Sequence, residues 1–476
     1  MAKIVKVKKG LDINLKGKAP ARFIHVGLSD SYAIVPDHYV GIRPKAVVKA
    51  GDRVRAGVPL MVDKVHPEIK VVSPVSGEVT GINRGEKRKI LSITVKPDEQ
   101  IEYEKFDVKD YETFQPERLK TLLLEAGLWP FIRQRPYDRV AIPSETPRDI
   151  FVTAHFTAPL APDFDFLARG LEEELWIGLE VLAKLTPGKV YVGLKGSDNL
   201  RDLPGEVEAV ELYGPHPVGN VGVMINHINP VDKGETVWTL NASDVFFIGR
   251  FFLQGRVDLT RIVALTGSKM TERGYVRAVA GCTIGSLVQG KIAANGRTGE
   301  GTNGRTDEET NRRMDTAGSA DKHIRMISGD VLTGAKVGLD DYLSPFVNQL
   351  TVIPEGDDVD EFVGWATPGF GKYSVSRTYF TWLLGRNKEY DIDARIQGGK
   401  RAMIMSNEYD KVFPMDILPE YLLKAIIAFD VEKMENLGIY EVAPEDFALC
   451  EFVDTSKIEI QKIVREGLDK LYREMS

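Results

Sequence analysis

Two cysteines in 476 residues, Cys282 and Cys450, leave no disulfide framework and point to a reducing compartment. Long apolar runs are missing too. VFFIG at Val245 and LLKAIIAF at Leu422 are short or interrupted, against the ~18 uninterrupted apolar residues of a membrane span. The first twenty residues, MAKIVKVKKGLDINLKGKAP, are basic but lack the apolar core of a signal peptide. A chain soluble by itself is expected, with room for a seat against a membrane complex. There is no basic block either: 62 basic residues face 69 acidic ones, net charge -7, which argues against nucleic acid as the main partner. The seven histidines include no i, i+4 pair and none lies near a cysteine, so no metal site is expected. No G-x-S-x-G elbow is present to support a hydrolase.

One motif is a literal match to a nucleotide fingerprint. GEGTNG, at 299–304, fits G-x-G-x-x-G. The pattern works only where a strand enters the glycines and a helix leaves them toward a pyrophosphate. Here the apolar run stops at Ala294, polar residues follow, and no acidic residue stands about 20 positions on to hold a ribose. The expectation is a polar surface insert over 293–322.

Hydrophobic residues make up 43%, enough for several cores, and the length suggests about three domains. After an N-terminal segment (1–35), residues 36–100 read as short strands and tight turns. Gly51 and Gly57 mark turns, Val47, Val54 and Leu60 are core positions, and SPVSGEVTGI (73–82) repeats the idea. A barrel-sandwich domain of the lipoyl/biotinyl kind is expected. Residues 101–256 open with the helix RLKTLLLEAG and then alternate strand and helix. LEEELWIGLEVLAKL places Leu171, Leu175, Trp176, Leu179, Leu182 and Ala183 on one face. Helix, turn and strand in that order predict a parallel, Rossmann-like α/β domain. Strands return over 257–374 as a β-grasp-like (SLBB-like) unit around the insert, and 375–476 reads as a helical C-terminal domain. Its LPEYLLKAIIAFDVEKM is apolar nearly all round, a helix buried in its own domain or docked on a partner. Loss of residues from 375 onward is then expected to leave a folded chain that no longer joins a complex. The fold class is α/β multidomain.

In the barrel segment, VDKV with Lys64 followed by SPVSG resembles the lipoyl pattern, although HPEI pushes the proline about two residues further from the lysine. A lipoyl-type carrier is one alternative function.

GLDINLKG (10–17), SPVSGEVTGI (73–82), DVFFIGRFFLQG (244–255), RMISGDVLTG (325–334), FVGWATPGFGKYSVSRTYF (362–380) and DFALCEFV (446–453), in this order, resemble one family along almost the whole chain. That family is the A subunit of the sodium-translocating NADH:quinone oxidoreductase. It is in turn similar to the flavin subunit of respiratory complex I and the C subunit of the Rnf complex. Those relatives hold FMN and NADH with a glycine-rich loop and a strand ending in Asn, followed by acidic residues, because phosphate must approach bare backbone. The corresponding stretches here are EAGLWPFIRQRPYD, where Gly127 alone survives before Trp129, Pro130 and Phe131, and FVTAHFTAPLAPD. There Ala154, His155, Phe156 and Thr157 stand where acids are expected. The nucleotide cradle reads as lost. LCEFVDTSK keeps Cys450 but has Asp454 where a second cysteine is expected, and one thiol cannot hold an iron–sulfur cluster.

The resemblance implies a subunit on the cytoplasmic face of the inner (cell) membrane. It would bind no cofactor of its own, with FMN, FAD, NADH and Fe–S on other subunits and a membrane-embedded one as chief partner. It also implies contact with a quinone such as ubiquinone, for which a cleft of Gly127, Trp129, Pro130, Phe131 and His155 is the place to look; otherwise these residues simply fill the old cavity. A second alternative is an NADH dehydrogenase subunit that keeps flavin in an altered cleft.

Overall fold

The computed structural model describes residues 3–196, 203–293, 323–357, 369, 372–377, 379, 381 and 388–475. GEGTNG, nearly all of the polar insert, and most of 362–380 lie outside the described residues.

The chain opens with a strand, β1 (Lys3–Lys6), which takes no part in the barrel that follows. The barrel is built from β2 (Tyr32–Ile34), β3 (Pro44–Ala46), β4 (Arg53–Val54), β5 (Pro59–Asp63), β6 (Lys70–Val72), β7 (Gly77–Arg84) and β8 (Ile90–Pro97). They form one sheet in the order β2-β8-β7-β4 and another in the order β3-β5-β6. Val54 and Leu60 are buried between them, as the alternation predicts, but Val47 is 48% exposed. The barrel starts before residue 36, because Tyr32–Ile34 pairs with β8.

Next come α1 (Pro116–Glu125), β9 (Arg133–Arg135), β10 (Arg139–Val140) and β11 (Ile150–Thr153). They lead to α2 (Phe164–Ala168), α3 (Glu172–Lys184), β12 (Val190–Lys195), β13 (Val207–Tyr213), α4 (Val221–Ile228), β14 (Val237–Asn241) and α5 (Ala242–Gln254). Their sheet runs β1-β13-β12-β11-β14-β9-β10, and the five strands β1, β13, β12, β11 and β14 are parallel to one another. The N-terminal segment is therefore no separate unit, since β1 pairs with β13 at this sheet's edge.

Helices α3 and α5 cover one face, and they touch backbone to backbone. A Cβ on Gly178 would stand 2.5 Å from the Val245 carbonyl oxygen, and one on Gly249 would lie 1.7 Å from that of Glu174. Two glycines bring the helices close enough to bury α5 from Ala242 through Phe252. Trp176 departs from its expected face. It is 43% exposed, while Leu175, Ile177, Gly178, Leu179, Val181 and Leu182 are buried.

A third unit holds β15 (Thr260–Thr266), β16 (Gly274–Val279), α6 (Ile284–Val288), β17 (Ile324–Ser328), β18 (Ala335–Val337) and β19 (Gln349–Pro354) in a sheet ordered β16-β15-β19-β17-β18. The C-terminal helices α7 (Tyr409–Val412), α8 (Pro419–Ala428), α9 (Val431–Asn436), α10 (Ala448–Val453) and α11 (Ile460–Met475) then pack on the other face of the α/β sheet. Leu422, Leu423, Ile460, Val464 and Leu468 share one core with Val5, Val7, Phe151, Tyr191, Val210 and Met224. The helical part thus shares its core with the α/β part, which weighs against the expectation that the chain folds without it. Helix α4, with Val221, Val223, Met224 and Ile225, lies in the same core.

Candidate functional crevice

From β11 the chain builds β12 and β13 on one side, then returns to place β14 on the other side of β11. In an open α/β sheet, ligands bind outside the carboxyl ends of strands at such a reversal. The turn singled out from sequence is also there. β9 runs antiparallel to β14, with Arg133 opposite Thr239, so residues 127–132 come to the carboxyl end of β14.

Aromatic rings occupy this turn. Trp129 is fully buried, meets Trp238 edge-on at 5.1 Å, and donates its indole N–H to the Ala141 carbonyl at 2.7 Å. Pro130 is buried beside it. Phe131 packs on Phe247 at 5.1 Å and Phe346 at 5.3 Å. Across the way, Phe164 stacks on Phe246, and Phe156 meets Phe164 edge-on. The third unit closes the top: Gln349 donates to the Pro159 carbonyl and Asn348 to the Ser243 hydroxyl. Gly127 has φ +66°, and a Cβ there would stand 2.5 Å from Cγ1 of Val72 in the barrel. The glycine lets the barrel close on the turn.

His155 lies elsewhere. It follows β11 in the partly exposed run 155–158, on the β12 side, where burial first and then the Lys195 charge bring its pKa down to about 4. Next to it, Thr157 and the His216 ring are 3.0 Å apart, and the His216 backbone N–H donates to Asp12. Burial holds His216 at about 4 as well, against the pull of Asp330 and Asp12. Both rings are neutral at pH 7 and can accept or donate one hydrogen bond each. The five expected residues therefore divide into a buried turn (Gly127, Trp129, Pro130, Phe131) and an accessible rim (His155).

Beside α5 a shallow depression is lined by Leu167, Phe246, Arg250, Arg261 and Arg277 among others. Two of its arginines already face carboxylates: Arg250 faces Glu174 and Asp258, and the buried Arg261 binds Asp244. Burial raises the Asp244 carboxyl to about 6 in spite of Arg261. This pair has no signature in the sequence, because its partners sit 17 positions apart on a helix and a strand. Among the described residues no three His, Cys, Asp or Glu side chains gather to hold a metal ion.

Comparison with known proteins is specific. Residues 5–98 match the model of the NqrA N-terminal barrel-sandwich hybrid domain, and residues 114–257 that of the NqrA second alpha/beta domain. The A subunit of the Na(+)-translocating NADH-quinone reductase of Neisseria meningitidis serogroup A is 35% identical over 476 residues, spanning 99% of this chain and 100% of that protein. The chain belongs to this NqrA family. A member from Haemophilus influenzae is 36% identical over 482 residues, with the same coverage. A solved NAD+-reducing NiFe-hydrogenase in the H2-reduced state is a looser likeness, at 10% identity and TM-score 0.36 over 75% of this chain and 61% of that one, and supports no argument. No helix among the described residues of this NqrA family member is long and apolar enough to cross a membrane.

One more cluster ties the α/β sheet of this NqrA chain to its helical part. Arg135 is 1% exposed and faces Asp138 at 3.2 Å, Glu445 at 3.3 Å and Asp446 at 3.8 Å. Arg465 of α11 reaches the Tyr137 and Asp138 carbonyls. Asp446 is buried and raised from 3.8 to about 7, by desolvation first, with Arg135 opposing and Glu445 reinforcing. The folded chain thus keeps a proton on Asp446 that the unfolded chain has released. Stability from this group is lost as pH rises between those two values. Thermal melts should show stability falling from pH 5 to pH 7.5, with a smaller fall in Asp446→Asn; equal slopes would remove Asp446 as the cause.

Proposed function

We propose that this chain is the nucleotide-free subunit of a sodium-translocating NADH:quinone reductase, contributing structure and a quinone-contacting rim rather than hydride or electron transfer. Its partners are the pump's other subunits, chiefly a membrane-embedded one, and its seat is the cytoplasmic face of the membrane. FMN, FAD, NADH and Fe–S belong to those other subunits. We also read the seven-stranded sheet as Rossmann-like and the 257–374 unit as β-grasp-like.

The observation that carries the reading is the filled crevice. Phosphate needs open backbone N–H groups, and at the reversal of this sheet Trp129, Phe131, Phe247 and Phe346 occupy the space instead. The near-full-length likeness to NqrA proteins of named Na(+)-translocating NADH-quinone reductases supplies the rest. A quinone contact on this chain belongs at 155–158, where the neutral His155 ring offers an N–H to a quinone carbonyl at the accessible rim.

Titrating the purified chain with FMN and with NADH, followed by flavin and tryptophan fluorescence, should show no saturable binding below millimolar concentration. Stoichiometric micromolar uptake would favour the flavoprotein alternative. In the intact complex, a photoreactive ubiquinone should label the 155–158 peptide; label confined to other subunits would reject the contact. The lipoyl-carrier alternative rests on Lys64, exposed in the turn after β5, and intact mass decides it.

A further inference from the structure

Among the described residues, eight of the seventeen large apolar side chains that stand exposed lie after residue 374, though this is much the smaller part of the chain. They are not scattered. Tyr421 and Ile427, both 55% exposed, flank Lys424 at every-third-position spacing along α8, and Leu418, 54% exposed, is the N-cap residue just before it. The opposite side of the helix, Leu422, Leu423, Ala425 and Ile426, is buried in the core shared with the sheet. Ile404 and Met405, 51% and 38% exposed, are held at the start of the same helix, because Ser406 and Asn407 donate their backbone N–H groups to Glu420.

We propose that this row is the docking ridge for an amphipathic helix of another subunit of the pump, one that presents apolar residues to Leu418, Tyr421 and Ile427 and a carboxylate to Lys424. The proposal rests on the functional reading above. Two features select the occupant. Side chains at i, i+3 and i+6, here Tyr421, Lys424 and Ile427, form one of the ridges that the grooves of a second α-helix accept. Lys424 stands exposed in the middle of the ridge with no salt bridge among the described residues, so a buried interface there must supply an acid. A bilayer surface fits less well, since a single lysine offers little attraction to anionic lipid.

The test uses the whole complex, purified through a tag on a different subunit. The triple variant Leu418→Glu, Tyr421→Glu, Ile427→Glu should lower recovery of this chain at least tenfold, and Lys424→Glu should lower it several-fold. A control pair in the barrel, Val47→Glu with Leu91→Glu, should leave recovery unchanged. Melting of each isolated variant within a few degrees of wild type checks that it folds. A photocrosslinker in place of Tyr421 should join this chain to a helical peptide of another subunit that contains Asp or Glu. Wild-type recovery of the triple variant, or a crosslink to lipid or to a second copy of this chain, would overturn the ridge while leaving the functional reading intact. Absence of the wild-type chain from the purified complex would remove both.

Discussion

Truncation after residue 374 is expected to give an insoluble or molten chain, not a shortened, well-folded one. The helices lost carry Leu422, Leu423, Ile426, Ile460, Val464, Leu468 and Leu471, all buried in one core with Val5, Val7, Phe151, Tyr191, Val210, Leu212 and the α4 residue Met224. Each large apolar side chain returned to water costs about 1.5–3 kcal/mol. Several such losses exceed the about 5–15 kcal/mol by which a domain is stable. The cut also removes Arg465 from the Asp138 carbonyl and leaves the fully buried Arg135 without Glu445 and Asp446. Soluble expression and near-UV circular dichroism check the outcome. A truncated chain that melts cooperatively near the full-length temperature would mean that α4 alone covers this face of the sheet well enough.

Trp129→Ala is expected to be the most damaging single substitution around the crevice. Removing a fully buried tryptophan costs about 3–5 kcal/mol. Here it also leaves the Ala141 carbonyl without its indole donor and strips the edge-on partner from Trp238. Chemical denaturation should report that loss. Trp129→Phe, which keeps most of the apolar volume, should lose roughly half as much, the remainder being the unpaired carbonyl at about 1–3 kcal/mol. The substitution also opens space at the carboxyl end of β14, and so bears on function. Trp129→Ala should still gain no FMN affinity in the same fluorescence titration, because no glycine-rich backbone waits behind the ring.

Much of this arrangement was legible in the sequence. Closely spaced glycine turns with alternating valines gave away the barrel, and helix–turn–strand order gave away the parallel sheet. The bulk of the turn was legible as Trp129, Pro130 and Phe131, and the structure buries all three. Three features were not legible, each because it depends on contacts distant in the chain. Lys3–Lys6 reads as part of an N-terminal segment, and only the partner strand 207 residues later makes it an edge strand. Trp176 follows the helical period of its neighbours, yet the close approach set by Gly178 and Gly249 fixes which side of α3 faces α5, and Trp176 falls outside it. His155 and the Trp129 turn are both ends of strands in one sheet, but sequence does not say which strands are neighbours. The turn leads into β9 beside β14, whereas His155 leans toward β12.

The placement of β1 bears on how the chain is made. Val210 leaves the ribosome 207 residues after Lys3, a delay of about 10–40 s at bacterial elongation rates. Throughout that interval KIVKVKK has no strand to pair with. Its lysines at 3, 6, 8 and 9 keep a sticky peptide hydrated, so this segment waits as a charged tether until its partner strand is made.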